Sequence, residues 1–405
     1  MAITLLAPSK LLPISGIRIA TTAAGIKYKD RDDLVLFELS EGSNTAVVLT
    51  KNQFYAAPIE IARTHLEAST PKYLLINSGN ANAGLGKQGI SDTKQTCAAL
   101  ATESKCEEIQ VLPFSTGVIG ERLPVDKITN QLPALLEHLK EDAWLAAAFA
   151  IMTTDTVAKG YSKQLILDGT AVSITGIAKG AGMIRPDMAT MLAYIATDLE
   201  IDNKNLNDLL YAGVEQSFHC ITVDGDTSTN DACALIATGK SGLKFSELSK
   251  QTKEKFVTEL NFIFLKLAQS IIRDGEGVTK YISVKVEQAK SKLIARAVAF
   301  AIAHSPLVKT AVFACDPNWG RILAAAGRAT EEPIQIENIS LFINDLYVIK
   351  RGELADSYNE KNGQKEMQKD EIQFRLLLGD GDSEVTVWTT DLSYDYVKIN
   401  AEYRT

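Results

Sequence analysis

The sequence lacks the features of a membrane-spanning or exported chain. Its 405 residues are 46% hydrophobic, but no stretch approaches the roughly 18 consecutive apolar residues of a membrane helix. Residues 1–13 contain one lysine and only short apolar patches, unlike the charged start and apolar core of a signal peptide. We therefore expect a soluble, cytoplasmic protein.

Cysteine and histidine are scarce. The five cysteines are odd in number and form no C-x-x-C pair, which predicts neither a disulfide framework nor a zinc site. Only four histidines occur, and neither H-E-x-x-H nor G-x-S-x-G is present. A structural role is therefore favoured for each histidine over a place in a catalytic triad.

Positive charge is in deficit. The chain has 42 Lys and Arg against 50 Asp and Glu, a formal net charge of −8. This disfavours a nucleic-acid binder, which needs a basic face, but local sites for small anions remain open. The length predicts about two to three domains.

Apolar runs between turn signals alternate with amphipathic stretches, which predicts a mixed α/β fold. Strands are predicted over residues 34–39, 45–49, 73–76, 109–114, 164–178 (two strands around a turn), 191–196, 281–286, 339–343, 372–378, 383–389 and 396–399. Helices are predicted over residues 57–66, 91–104 (with Ser91 as N-cap), 124–139, 144–152, 206–217, 245–273 and 290–303. A change of pattern near residue 280 predicts a domain boundary.

Two segments have the composition of ligand-binding loops. Gly84, Gly86 and Gly89 fit G-x-G-x-x-G, but the preceding strand is predicted to end near Asn77, too early for a dinucleotide site. Residues 224–231 are rich in Asp, Thr and Ser but lack the glutamate that closes a calcium loop. A plain loop and a side-chain-stabilised turn are favoured, and we expect no metal and no cofactor.

The segment 179–190 combines two glycines and a proline with a threonine at the start of a predicted strand. Such a loop can hold a strained peptide bond, because glycine adopts dihedrals that other residues avoid. The Thr190 hydroxyl can then attack the carbonyl of Ala189, and hydrolysis releases a chain that begins at Thr190. Its free α-amine, with a pKa of about 7.7–8.0, suits a base at neutral pH. From spacing alone, an ordinary turn is the commoner interpretation.

Together with five further blocks, this segment resembles the self-cleavage signature of the ornithine acetyltransferases, also called glutamate N-acetyltransferases of arginine biosynthesis. The signature is K-G-A-G-M-I-R-P-D-M-A-T-M-L-A, residues 179–193. The further blocks, in family order, are residues 77–83, 115–120, 222–231, 315–327 and 396–405. The resemblance covers nearly the whole chain.

The resemblance implies a precursor that is cut between Ala189 and Thr190 into an α chain (1–189) and a β chain (190–405). It implies a layered α-β-β-α body within residues 1–280. A smaller α/β domain, residues 281–405, would return its last residues to the active site. Two α and two β chains would assemble as a heterotetramer.

The same resemblance implies the site residues. Thr190 matches the nucleophile, and Thr116 and Gly117 match the oxyanion-hole pair, which we expect in a loop after a strand. The substrate-contacting positions match Thr156, Lys179, Thr190, Glu276, Asn400 and Thr405.

These assignments describe acetyl transfer from Nα-acetylornithine to glutamate. Thr190 would take the acetyl group, two preorganised donors would stabilise the oxyanion, and glutamate would then remove the group in a ping-pong reaction. Lys179 is suited to anchor an α-carboxylate. We expect Glu276 to meet the cationic end of ornithine.

Several alternatives stay open. A self-processing amidase or aminopeptidase with the same N-terminal threonine would pass the acyl group to water, and an uncut chain would bind amino acids without turnover. No residue pattern decides whether acetyl-CoA is also a donor. Arg185 and Asp187 stand where many relatives carry a smaller or neutral residue and asparagine, which puts the rate of cleavage in doubt.

Overall fold

The computed structural model describes residues 2–185 and 191–402, which form two compact units. The larger unit comprises residues 6–219 and 226–271, and the smaller comprises residues 1–5, 220–225 and 272–405. The division into domains 1–280 and 281–405 stays a prediction.

Two sheets form the frame of the larger unit. Its described strands are β1 (Ile17–Thr22), β2 (Leu34–Leu39), β3 (Asn44–Leu49), β4 (Tyr73–Asn80), β5 (Val111–Val118), β6 (Lys159–Leu167), β7 (Thr170–Lys179), β8 (Leu192–Thr197) and β9 (Ala232–Ala237). One sheet has the order β1-β2-β4-β5 and the other β3-β9-β8-β7-β6. The pairs β4–β5 and β8–β9 are parallel, and the other neighbours are antiparallel.

Helices cover the outer faces of both sheets. They are α1 (Ala57–Ala68), α2 (Gly86–Ser104), α3 (Val125–Thr129), α4 (Leu132–Glu137), α6 (Asn203–Glu215) and α7 (Lys250–Arg273). Another helix, α5 (Trp144–Ala150), contributes its side chains to the core between the two sheets instead. Side chains of α1, α2 and α4 share a core with one face of the first sheet. Helix α6 contacts β3 and β9, and a Cβ at Gly176 of β7 would meet side chains of α7.

The alternation of side chains along β2 shows how the layers are joined. Val35 and Phe37 lie in a core that contains residues of both sheets, whereas Leu34 and Leu36 lie in the core under the helices. Successive side chains of a strand point to opposite faces, so one strand serves two cores. The larger unit therefore has the layer order helix–sheet–sheet–helix, and the predicted α/β class is confirmed.

Aromatic rings fill the core between the two sheets. The ring of Phe37 lies 5.4 Å from that of Trp144 and 5.5 Å from that of Tyr194, and the rings of Phe114 and Tyr194 are 5.5 Å apart. All four side chains are buried. Such rings contribute much of a core's buried apolar area, so this cluster stabilises the packing of one sheet on the other.

The smaller unit is also α/β. Its described strands, β10 (Tyr281–Ala289), β11 (Ser340–Ile343), β12 (Leu346–Lys350), β13 (Glu353–Leu354), β14 (Glu371–Leu377) and β15 (Ser383–Thr390), form one sheet of order β13-β12-β11-β14-β10-β15. Its helices are α8 (Lys292–Ala303), α9 (Pro306–Phe313), α10 (Trp319–Gly327), α11 (Glu360–Met367) and α12 (Tyr394–Ala401). Among all described helices none is long and apolar enough to cross a membrane alone; α8 and α9 meet those criteria only jointly, across a 55° bend.

One predicted element has the wrong type, and a predicted helix starts at the wrong residue. The strand predicted over 396–399 is helix α12, whose N-terminus is capped by Ser393, since its hydroxyl accepts the Tyr396 N–H. Helix α2 begins at Gly86 rather than after Ser91. Glycine's low helix propensity hides that first turn, but a Cβ at Gly89 would meet the Asn82 side-chain oxygen at 2.8 Å, so tight packing requires the glycine.

We expect Tyr194→Phe to keep or raise the melting temperature. Within the described part of the chain the buried Tyr194 hydroxyl has no hydrogen-bond partner, so its removal relieves a desolvation cost of about 1–3 kcal/mol. Differential scanning calorimetry measures the shift. Phe37→Ala is the contrast, because its cavity should cost about 3–5 kcal/mol. A lower melting temperature for Tyr194→Phe would reveal a bound water on that hydroxyl.

Candidate active site

The predicted oxyanion-hole pair lies on one strand, β5, beside its parallel neighbour β4. Thr116 and Gly117 belong to β5, in register with Ser78 and Gly79 of β4. The expectation of a loop at this point is wrong, since β5 continues to Val118. The residues Ser115, Thr116 and Gly117 have the composition of a loop. They form a strand because they pair with β4, and a pairing with a distant strand is not visible in the local sequence.

A close backbone approach explains the glycine of this pair. Gly117 has φ +133°, and a Cβ there would lie 2.2 Å from the carbonyl carbon of Gly79 and 2.5 Å from the Asn80 nitrogen. No other residue fits such an approach. The register also shifts between Gly79 and Asn80, as in a bulge. Donors of an oxyanion hole must be fixed before the reaction, and this packing holds the backbone firmly.

Lys179 joins this pair from the other sheet. It is the last residue of β7, is 9% exposed, and donates from Nζ to the Thr116 hydroxyl at 3.0 Å. Two residues predicted separately, one for the oxyanion and one for substrate, are therefore in direct contact. The contact places a cation beside the strand end where negative charge would develop.

A buried carboxylate that sequence reasoning missed supports this lysine. The Asp155 Oδ1 accepts hydrogen bonds from Lys159 Nζ at 2.6 Å and from the Gly180 N–H at 2.7 Å. Burial by itself would raise the pKa of Asp155, but the charges of Lys159 and Lys179 and these hydrogen bonds outweigh it and hold the pKa below its usual range. Thr156, the next residue, is exposed.

Asn230 fixes the peptide that precedes the oxyanion pair. Its Nδ2 donates to the carbonyl oxygens of Ser115 at 2.9 Å and Ala81 at 2.6 Å, and its Oδ1 accepts from the Thr229 hydroxyl at 2.6 Å. The Ser115 hydroxyl in turn donates to Asn77 Oδ1 at 2.6 Å. Asn230 lies in a block that carried the family resemblance, but only the folded chain reveals this role.

Two further predicted residues meet within the smaller unit. The Asn400 Nδ2 donates to Glu276 Oε2 at 2.8 Å, and Glu276 is 8% exposed. Helix α12 packs on the residue that follows: a Cβ at Gly277, which has φ +66°, would lie 2.3 Å from the Tyr396 nitrogen. The Ser393 hydroxyl donates to the Gly277 carbonyl at 2.6 Å. Helix α12 is thus packed at a fixed position beside Glu276.

Ala189, Thr190 and Thr405 lie outside the described residues. Met191 is described, and its carbonyl accepts the Ala232 N–H at 3.0 Å where β8 and β9 begin. The structure thus gathers Thr116 and Lys179 in the larger unit and Glu276 with Asn400 in the smaller one.

Comparison with known proteins gives the class. The ArgJ family model matches residues 18–405. The arginine biosynthesis bifunctional protein ArgJ of Methylococcus capsulatus is 50% identical over 98% of this chain and 97% of its own, and that of Pseudomonas fluorescens is 48% identical over 98% of each. A crystal structure of the Bacillus halodurans protein of that name covers 52% of this chain and 99% of its own, at 37% identity and a TM-score of 0.49.

These matches define an enzyme of arginine biosynthesis, the pathway predicted from the sequence. The chain belongs to the ArgJ family.

We expect Asn230→Ala to lower kcat for acetyl transfer by up to about a hundredfold, because a small displacement of a preorganised group has that effect. Steady-state kinetics at saturating substrate measure it. Asn44→Ala is the matched control: Asn44 Nδ2 also donates to a backbone carbonyl, that of Ile201 at 2.8 Å, but at the far end of β3 and β9. The Asn44→Ala variant should be less stable than wild type but should keep the wild-type kcat. Equal kcat values in both variants would contradict the role of Asn230.

Proposed function

We propose that this chain moves the acetyl group of Nα-acetylornithine to glutamate through an acetyl ester on Thr190. The observation that carries the proposal is the contact of 3.0 Å between the Lys179 ammonium and the Thr116 hydroxyl, beside the tight backbone of Gly117. This combination suits a reaction in which an oxyanion forms.

Self-cleavage prepares the enzyme in this proposal. The Thr190 hydroxyl attacks the carbonyl of Ala189, the acyl group shifts from nitrogen to oxygen, and water hydrolyses the ester. The products are an α chain of residues 1–189 and a β chain of residues 190–405. The new α-amine lies on the same residue as the nucleophile and serves as its base.

Acetyl transfer then proceeds in two half-reactions. The Thr190 Oγ attacks the acetyl carbonyl, and donors at Thr116 and Gly117 stabilise the oxyanion, each contributing roughly a hundred- to a thousandfold in rate. Ornithine leaves with a proton on its nitrogen. The amine of glutamate attacks the acetyl-threonine and restores the free hydroxyl.

Local charges support binding of these substrates by an acidic chain. Lys179, ordered by the buried Asp155, suits the α-carboxylate that both substrates carry. In the smaller unit Glu276 is hydrogen-bonded to the neutral amide of Asn400, and its negative charge suits the cationic end of ornithine. Thr156 and Thr405 complete the proposed contacts.

The proposal also extends to assembly and to a second donor. We place two α and two β chains in a cytoplasmic heterotetramer that needs no metal or cofactor. The relatives are named bifunctional, and we include acetyl-CoA as an alternative acetyl donor to glutamate.

Intact mass tests the cleavage. Wild type should give two species whose masses sum to the 44.0 kDa of the chain plus one water, with the smaller ending at Ala189. Thr190→Ala should remain a single chain, because it lacks the attacking hydroxyl. A single uncut chain in both proteins would remove the α-amine from the mechanism and favour a non-catalytic amino-acid-binding protein.

Dependence on the acceptor separates transfer from hydrolysis. Ornithine release from Nα-acetylornithine should require glutamate beyond the first turnover, because the acetyl-enzyme otherwise waits for an amine. A quench-flow assay with and without glutamate measures the burst and the steady rate. Equal steady rates in both would identify an amidase that uses water.

A further inference from the structure

We infer that Asp391 is a positioning residue for substrate binding in the smaller unit. Its carboxylate holds the turn that carries Glu276 and, through the segment that follows it, the helix that carries Asn400. The inference rests on the proposed function, in which Glu276 meets the cationic end of ornithine.

The carboxylate of Asp391 binds three donors that follow Glu276 in the chain. Its Oδ1 accepts the Thr279 N–H at 2.8 Å and the Lys280 N–H at 3.0 Å, and its Oδ2 accepts the Thr279 hydroxyl. Asp391 is 3% exposed. Hydrogen bonds to an ionised acceptor are short and strong, and a buried N–H that loses its acceptor is costly. The carboxylate therefore fixes the backbone where this turn enters β10.

The residues on both sides of that carboxylate hold the same turn. A Cβ at Gly275 would lie 2.7 Å from the Thr390 methyl group, and the Ser393 hydroxyl donates to the Gly277 carbonyl at 2.6 Å. Glu276 is the residue between these two glycines, so the segment 390–393 contacts its turn before and after it.

The same segment leads directly into the helix that carries Asn400. Helix α12 begins at Tyr394, with Ser393 as its N-cap. The Asn400 Nδ2 donates to Glu276 Oε2 at 2.8 Å and to the Tyr396 carbonyl, one helical turn earlier, at 3.0 Å. Segment, helix and turn therefore form a closed ring of contacts that ends on the Glu276 carboxylate.

A buried lysine also fixes this segment. Lys309 of α9 is 4% exposed and donates from Nζ to the Thr389 hydroxyl at 3.0 Å and to the Thr390 carbonyl. Burial lowers the pKa of Lys309 to about 8, and the negative charge of Asp391 opposes that shift. Asp391 is thus linked to the core of the smaller unit by charge and through its neighbours in the chain.

Asp391 acts on the substrate through Glu276 in this arrangement. A carboxylate binds an ammonium more tightly when it is already held in place, because less conformational freedom is then lost on binding. Glu276 supplies the charge for the cationic end of ornithine, and Asp391 supplies the fixed backbone on which that charge is carried. Loss of Asp391 should therefore weaken binding of Nα-acetylornithine and leave the chemical step unchanged.

The test uses the full-length chain with Asp391→Ala, Glu276→Gln and the double variant, each checked by intact mass and thermal melting. We expect Asp391→Ala to raise KM for Nα-acetylornithine about tenfold, the effect of one lost hydrogen bond to a charged group, with kcat unchanged. In the Glu276→Gln background the same change should add little, because residues that act together are coupled in a double-mutant cycle. An unchanged KM in Asp391→Ala, or effects of the two changes that simply multiply, would overturn the inference.

Asp391→Asn separates position from charge. The amide oxygen can accept both N–H groups and the amide nitrogen can donate to the Thr279 hydroxyl, so this variant should keep KM near the wild-type value. A KM as high as that of Asp391→Ala would overturn the inference, because the charge of Asp391 would then act on the substrate itself.

Asp198→Ala is the matched control. Asp198 is also a buried carboxyl that accepts a backbone N–H, that of Ser173 at 2.9 Å, but it belongs to the larger unit and follows β8. Its variant should melt at a lower temperature and keep the wild-type KM. If Asp391→Ala behaves in the same way, the role of Asp391 is purely structural and the inference is wrong.

Two further results are decisive. If Asp391→Ala does not fold, Thr279→Val removes only the hydroxyl contact to Asp391. It should raise KM for Nα-acetylornithine about twofold to tenfold, and an unchanged KM contradicts the inference. An unchanged KM in Glu276→Gln would refute the proposed contact of Glu276 with ornithine and the inference with it. A raised KM in Glu276→Gln beside an unchanged KM in Asp391→Ala overturns the inference alone.

Discussion

The backbone contact between Gly79 and Gly117 is the constraint on which the candidate site depends. It exists only because β4 and β5 pair in parallel, with Ser78 opposite Thr116, and it tolerates no Cβ at Gly117. Parallel pairing requires a crossover, and helix α2 runs between the two strands in the chain. Two asparagine side chains bind the polar groups of Ser115 beside this contact. Asn77 accepts a hydrogen bond from the Ser115 hydroxyl, and Asn230 donates one to the Ser115 carbonyl. The fold therefore presents Thr116 on a rigid strand end rather than on a free loop.

Buried charge is the second constraint. The buried lysines near the candidate site are positive, whereas the net charge of the whole chain is negative. The net charge is −8, yet Lys159 and Lys179 are both buried at the ends of strands of one sheet. A buried charge is tolerated only when it is paired and hydrogen-bonded. Asp155 is hydrogen-bonded to Lys159 and interacts with the charge of Lys179, which donates its own hydrogen bond to Thr116. An anionic substrate or intermediate thus meets a local positive field inside an acidic protein.

Local pattern predicted most elements because apolar alternation and helical periodicity are strong here. The strand over 34–39 is β2 residue for residue, and the helix over 144–152 differs from α5 only at its end. The failures have physical causes. Residues 396–399 alternate between apolar and polar side chains, as in a strand. The N-cap at Ser393 and the close packing of α12 on Gly277 favour a helix instead. The polar ends of β4 and β5 resemble loops in composition, and only their mutual ladder makes them strands.

The sequence by itself determined the class of the chain, its α/β content and the candidate chemistry, because family blocks such as 179–193 and 115–120 are contiguous and carry their residue types in local order. It did not show that Lys179 contacts Thr116, 63 positions away, or that Asn230 holds the Ser115 carbonyl across 115 positions. Those contacts depend on how two sheets pack around Phe37 and Tyr194. Tertiary structure alone decided them, because packing free energy is shared over many distant residues and leaves no local pattern.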